Sequence, residues 1–114
     1  MMEKFEYVVM LMDFYGPLLT KKQQHVLSLH YENDWSLSEI ANNMQISRQA
    51  VYDLLKRAEN SLQDYEERLG LLQRFLNTQQ EIDEVYHLLN NAENIKPDNI
   101  YKAANILRKI SNLV

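Results

Sequence analysis

The chain has 114 residues, 46% of them hydrophobic, which suffices for one substantial core and leaves little room for two. It has no cysteine, which excludes disulfides and thiolate metal sites and fits a reducing compartment. Its formal net charge of -4 counts against broad affinity for nucleic acid, because neutralising phosphates supplies most non-specific binding. With two glycines, two prolines and no alternating β-branched runs, the expected fold class is all-α. Glu3, Lys4 and Glu6 stand where a signal peptide would carry a basic, then apolar, leader, and no long apolar run follows. A cytoplasmic protein with no membrane partner is expected.

Phe5, Val8, Val9, Leu11 and Met12 recur at helical spacing and predict a first helix over Glu3 to Tyr15, stopped by Gly16-Pro17. Thr20 with Gln23 three residues on reads as a capping box, opening a helix to about Asn33, after which Asn33-Asp34 reads as a turn. Ser36 with Glu39 is a second box, and the short helix it opens has Leu37, Ile40, Ala41 and Met44 inward. Gln45-Ile46 breaks that helix, and Ser47 caps a far longer one.

From Val51 the apolar positions are Val51, Leu55, Ala58, Leu62, Tyr65, Leu69, Leu72 and Leu76, spaced by four and three. Such a heptad seam demands a partner helix along its length, either from this chain or from a second copy in a homodimer. Gly70 lies within it and marks a bend. Thr78 with Glu81 is a third capping box, starting a helix with Ile82, Val85, Tyr86 and Leu89 inward. Asn90 to Asn94 reads as a polar loop, and Pro97 opens a last helix lined by Ile100, Ala103, Ala104, Leu107 and Ile110. The expected organisation is a domain over 1–76 and a C-terminal helical hairpin over 77–114, packed on that domain or on a dimer partner.

Ser36 to Arg57 has every part of a helix-turn-helix: a positioning helix, small Ala41 where the helices touch, Ile46 at the turn, and Val51 and Leu54 on the inner side of the second helix. If Ser47 caps the recognition helix, Arg48, Gln49, Tyr52, Asp53 and Lys56 point outward from its first turns. Arg pairs bidentately with guanine and Gln with adenine, each discriminating by about 1–3 kcal/mol. Lys56 and Arg57, with Lys21 and Lys22, suit phosphates. Asp53 is the odd member, either an acceptor from cytosine or a group that repels phosphate. The expected DNA-binding set is therefore Ser47, Arg48, Gln49, Tyr52, Lys56, Arg57, Lys21 and Lys22, on double-stranded DNA.

These residues carry a resemblance. Leu19 to Leu29, Ser36 to Ala41, Ile46 to Val51 and Lys56 to Ala58 look like region four of bacterial sigma factors, which reads promoter DNA in the major groove. More narrowly, "FYGPLLTKKQ", "SLSEIA" and "SRQAVYDLLKRAE" resemble the YlxM family of DNA-binding proteins over roughly residues 3 to 76. Members are typically encoded beside the signal recognition particle protein, so the resemblance implies an accessory or regulatory role in that pathway. The chain departs from the sigma pattern in two ways. Gln45 stands where such turns often place glycine, so the turn must manage a non-glycine residue, a positive φ being one way to do so at some cost. The chain also has no room for the module that melts the other promoter element, and so is not a complete sigma factor.

His25, His30 and His87 form no i, i+4 pair, and the acidic groupings Asp64-Glu66-Glu67 and Glu81-Asp83-Glu84 have no catalytic companion. No metal, cofactor, small-molecule substrate or enzymatic activity is expected. Two functions remain open: a regulatory DNA-binding protein, or a module that docks on a signal recognition particle component without DNA.

Overall fold

The computed structural model describes residues 2–90 and 96–111. Six α-helices and no strand occur among them, as the composition required. Contacts divide the chain into two units, Met1–Leu72 and Gln73–Val114.

In the first unit, α1 spans Lys4–Tyr15, and a single 3-10 turn over Gly16–Leu18 ends it where Pro17 removes a backbone donor. Helix α2, Lys21–Leu27, starts from a complete capping box: Gln23 N–H donates to Thr20 Oγ1 at 3.1 Å, and Thr20 N–H to Gln23 Oε1 at 3.2 Å. It continues into a π-helix over Ser28–Glu32, closed by Asn33 N–H on the Ser28 carbonyl at 3.0 Å. Val26, Leu27, Leu29 and Tyr31 are all buried along this continuous segment, because it packs against α1 and the next two helices on different sides. Asp34 then turns the chain with φ of 59°.

Helix α3, Leu37–Met44, repeats the box with Ser36 and Glu39, and buries Ile40 and Ala41. Gln45 takes a left-handed conformation, at φ 56°, the option open to a non-glycine residue in this turn. Ile46 N–H returns to the Ala41 carbonyl at 3.1 Å, satisfying an acceptor at the helix end. Helix α4, Arg48–Leu69, then packs on α1, α2 and α3. Val51, Leu55, Ala58 and Leu62 are at most 5% exposed. The first half of the heptad seam is therefore filled from within the chain, each large side chain contributing about 1.5–3 kcal/mol.

The seam does not run on to Leu76 in one helix. Gly70, with φ of 63°, ends α4 as a left-handed cap, and α5 starts at the next residue, Leu71. Two groups from the first unit satisfy the exposed donors at that start. Tyr15 Oη accepts from Leu71 N–H at 3.1 Å, while Glu66 Oε1 accepts from Leu72 N–H at 3.0 Å and from Tyr15 Oη at 2.6 Å. Tyr15 is fully buried and Glu66 nearly so.

Burial and the Glu66 carboxylate raise the Tyr15 phenol above its ordinary value of 10.0. Burial, then the hydrogen bond to Glu59, does the same for Tyr31. A phenol whose folded pKa is raised contributes stability that is intact below the unfolded value and is lost as pH rises through the folded one. The melting temperature should thus be flat across neutral pH and fall above about pH 10. Tyr15→Phe should flatten part of that fall in an alkaline melting series. A fall that begins at neutral pH would contradict the assignment.

In the second unit, α5 continues to Leu89 and α6 spans Pro97–Ser111, Pro97 opening it as expected. Thr78 starts no helix. It lies inside α5, where residues on both sides keep the helical backbone, so Thr78 cannot take the extended conformation a cap needs. Of the polar loop, residues 91–94 fall outside the described residues.

Candidate nucleic-acid interface

Helix α4 begins on the surface. Ser47 Oγ accepts from Ala50 N–H at 3.0 Å, and Ser47, Arg48, Gln49, Lys56 and Arg57 are all exposed. Because Val51, Leu55 and Ala58 are locked in the core, the helix cannot roll about its axis. The same packing that buries one face therefore fixes which side chains the other presents.

Arg48, Gln49 and Tyr52 share one shallow groove of about 400 Å³ with Leu37 of α3. The Lys56 ammonium lies over the Tyr52 ring, 5.7 Å from its centroid, which extends the row by a turn. On one flank Lys22 and Arg57 border a second groove, of about 260 Å³, beside Ile46 and Asp53. Lys22 thus comes from α2 to the side of α4, where the sequence placed a phosphate contact. Lys21 is exposed on the same turn but lines neither groove.

The other flank holds a residue that sequence reasoning missed. Lys4, at the start of α1, borders a groove of about 170 Å³ together with Lys56, Tyr52 and His30. It stands 3.5 Å from Glu59, which lies on the inner side of that groove. Only the packing of α1 on α4 brings Lys4 and Lys56 to one groove, and no local pattern announces it.

Residues 36–60 carry as many acidic as basic side chains, yet each carboxylate is engaged. Glu39 accepts from Ser36 N–H in the capping box at 3.2 Å. Glu59 accepts from Tyr31 and pairs with Lys4. Asp53 accepts from Gln49 Nε2 at 3.1 Å, so the odd member of the row braces a neighbour one helical turn away. With one amide hydrogen on Asp53, Gln49 keeps its second amide hydrogen and its carbonyl oxygen for a base edge. Arg48, Lys56 and Arg57 stay on the surface.

Among the described residues no group of three or more His, Cys, Asp or Glu side chains is placed to hold a metal ion. None of their helices is long and apolar enough to cross a membrane.

Comparison with known proteins agrees with the helix-turn-helix fold. The chain is 44% identical over 110 residues to a UPF0122 protein of Desulforamulus reducens, covering 96% of this chain and 94% of that one. It is 47% identical over 85 residues to a UPF0122 protein of Caldanaerobacter subterraneus, covering 75% and 73% of the two chains. A UPF0122 protein of Bacillus cereus is 44% identical over 98 residues, covering 86% and 89%. Residues 2–107 match the family model UPF0122, described as "Putative helix-turn-helix protein, YlxM / p13 like". With nearly the whole chain matched and the helix-turn-helix in place from Ser36 to Arg57, this protein belongs to the UPF0122 family.

Proposed function

We propose that the chain is a regulatory, non-enzymatic protein of the cytoplasm that binds double-stranded DNA through the first turns of α4. One observation carries this reading: the Ser47-capped start of α4 is exposed, with Arg48, Gln49, Tyr52 and Lys56 on its outer side. Arg48 and Gln49 are the base readers. Lys22 and Arg57 on one flank, and Lys56 on the other, meet phosphates. Lys4 joins them as a phosphate contact once its pairing with Glu59 is exchanged. The protein works as a homodimer, two recognition helices about 34 Å apart meeting successive major grooves. Its setting is the signal recognition particle pathway, as the YlxM likeness suggests. No metal, cofactor or catalytic step belongs to this reading.

Mobility shift on random duplex DNA at low and moderate salt tests it. Binding should weaken steeply with salt, and Lys22→Ala should lower the logarithmic salt slope by about one. Arg48→Ala should cost about 1–3 kcal/mol on a selected site. No shift at any salt would sink the DNA reading. It would leave docking on a signal recognition particle component, recoverable from nuclease-treated lysate and indifferent to Lys56→Glu.

A further inference from the structure

Helices α5 and α6 each carry two rows of side chains. On α5, Glu81, Val85 and Leu88 are covered or half-covered, and one residue further round lie Ile82, Tyr86 and Leu89, exposed by 50%, 62% and 39%. On α6, Asn99, Ala103 and Ile106 are covered or half-covered, and again one residue further round lie Ile100 and Leu107, about half exposed, with Ala104 between them. A helix that is apolar on two adjoining faces is built for two neighbours. Helices α5 and α6 share one compact unit, and in an antiparallel pair of neighbouring helices positions one residue past the facing rows fall on the same side of both. The two uncovered rows then form one apolar face.

With Tyr101 on its edge, that face exposes roughly 600 Å² per chain, so two copies would bury on the order of 1,200 Å², the lower range of a specific interface. Its charges are self-complementary. Glu81, Asp83 and Glu84 against Arg74 leave α5 acidic, while Lys102, Arg108 and Lys109 against Asp98 leave α6 basic. Asp83 directly follows Ile82, and Arg108 directly follows Leu107, so one charge of each sign borders the apolar rows. A two-fold axis that lays α5 on the other copy's α6 makes both opposite-charge contacts at once, whereas α5 on α5 would oppose like charges.

We infer that the α5–α6 face is the dimerisation surface, occupied by a second copy of this chain with α5 crossing α6. The surface stands on its own observations; its use in spacing two recognition helices rests on the DNA reading. This moves the pairing surface away from the α4 seam, whose first half is closed inside the chain.

Sedimentation equilibrium of the full chain at tens of micromolar should give twice the chain mass. Ile82→Glu and Leu107→Glu replace exposed side chains, so far-ultraviolet circular dichroism should hold while the dimer Kd rises about a hundredfold. Asp83→Arg and Arg108→Asp should each weaken the dimer, and their combination should restore it, a rescue that damage to the fold cannot mimic. A wild-type chain of single mass, or apolar-row variants whose Kd stays within about twofold of wild type, would overturn the inference. Either result would give the face to another protein or to the chain's own N-terminal unit. Arg48→Ala leaves the mass unchanged, so loss of DNA binding in an intact dimer counts against the DNA reading alone.

Discussion

Glu66→Ala is expected to destabilise the N-terminal unit by about 3 kcal/mol, because one carboxylate serves several buried donors at once. Tyr15 Oη, on a fully buried ring, sits 2.6 Å from it, and Leu72 N–H reaches the same oxygen. Alanine leaves both donors unanswered, at about 1–3 kcal/mol each. Tyr15→Phe should cost less, since the carboxylate keeps the Leu72 donor. The double change Tyr15→Phe with Glu66→Leu should cost less than the two single costs combined, as removing both partners of a buried polar pair does. The protein's one tryptophan, Trp35, lies within the first unit, so urea unfolding followed by its fluorescence reads the effect there. A loss below about 0.5 kcal/mol for Glu66→Ala would show that the network carries no weight.

Leu62→Ala and Leu69→Ala should differ sharply, although the sequence sets both in one heptad seam. Leu62 has no exposed surface and is surrounded by packed neighbours, so its truncation should cost about 2–5 kcal/mol. Leu69 is half exposed beside Gly70, and its truncation should cost less than about 1 kcal/mol. The same urea series distinguishes them. Equal costs would mean that Leu69 is buried in solution, as an α4-to-α4 dimer would require.

That contrast shows how far periodicity reads. Spacing by four and three identifies an apolar face, and from Val51 to Leu62 that face is core. It does not reveal where the backbone leaves the helix. Gly70 was legible as a weak point, but Tyr15 and Glu66 receive the next two N–H groups after its left-handed cap, and the Tyr15 contact reaches across more than fifty residues. Capping boxes teach the same lesson. Thr20-Gln23 and Ser36-Glu39 follow segments that leave the helix and both boxes form, whereas Thr78-Glu81 follows uninterrupted helix and does not. The candidate site was mostly legible, because its row lies on one helix whose phase is set by the buried positions. Lys4 was not, because only the packing of α1 on α4 brings it there. The roles of Asp53 and Glu59 required side-chain geometry that no spacing rule encodes.

The Tyr15 hydroxyl has a further consequence for how the protein is made. Helix α1 leaves the ribosome early, yet the hydroxyl of its last side chain finds its hydrogen-bond partners on residues 66 and 71. During synthesis α4 is complete as a segment before the element that follows its far end has emerged. The network of Tyr15, Glu66 and Leu72 therefore closes only after Leu72 clears the exit tunnel, and a chain truncated before Glu66 lacks the carboxylate to which the Tyr15 phenol donates.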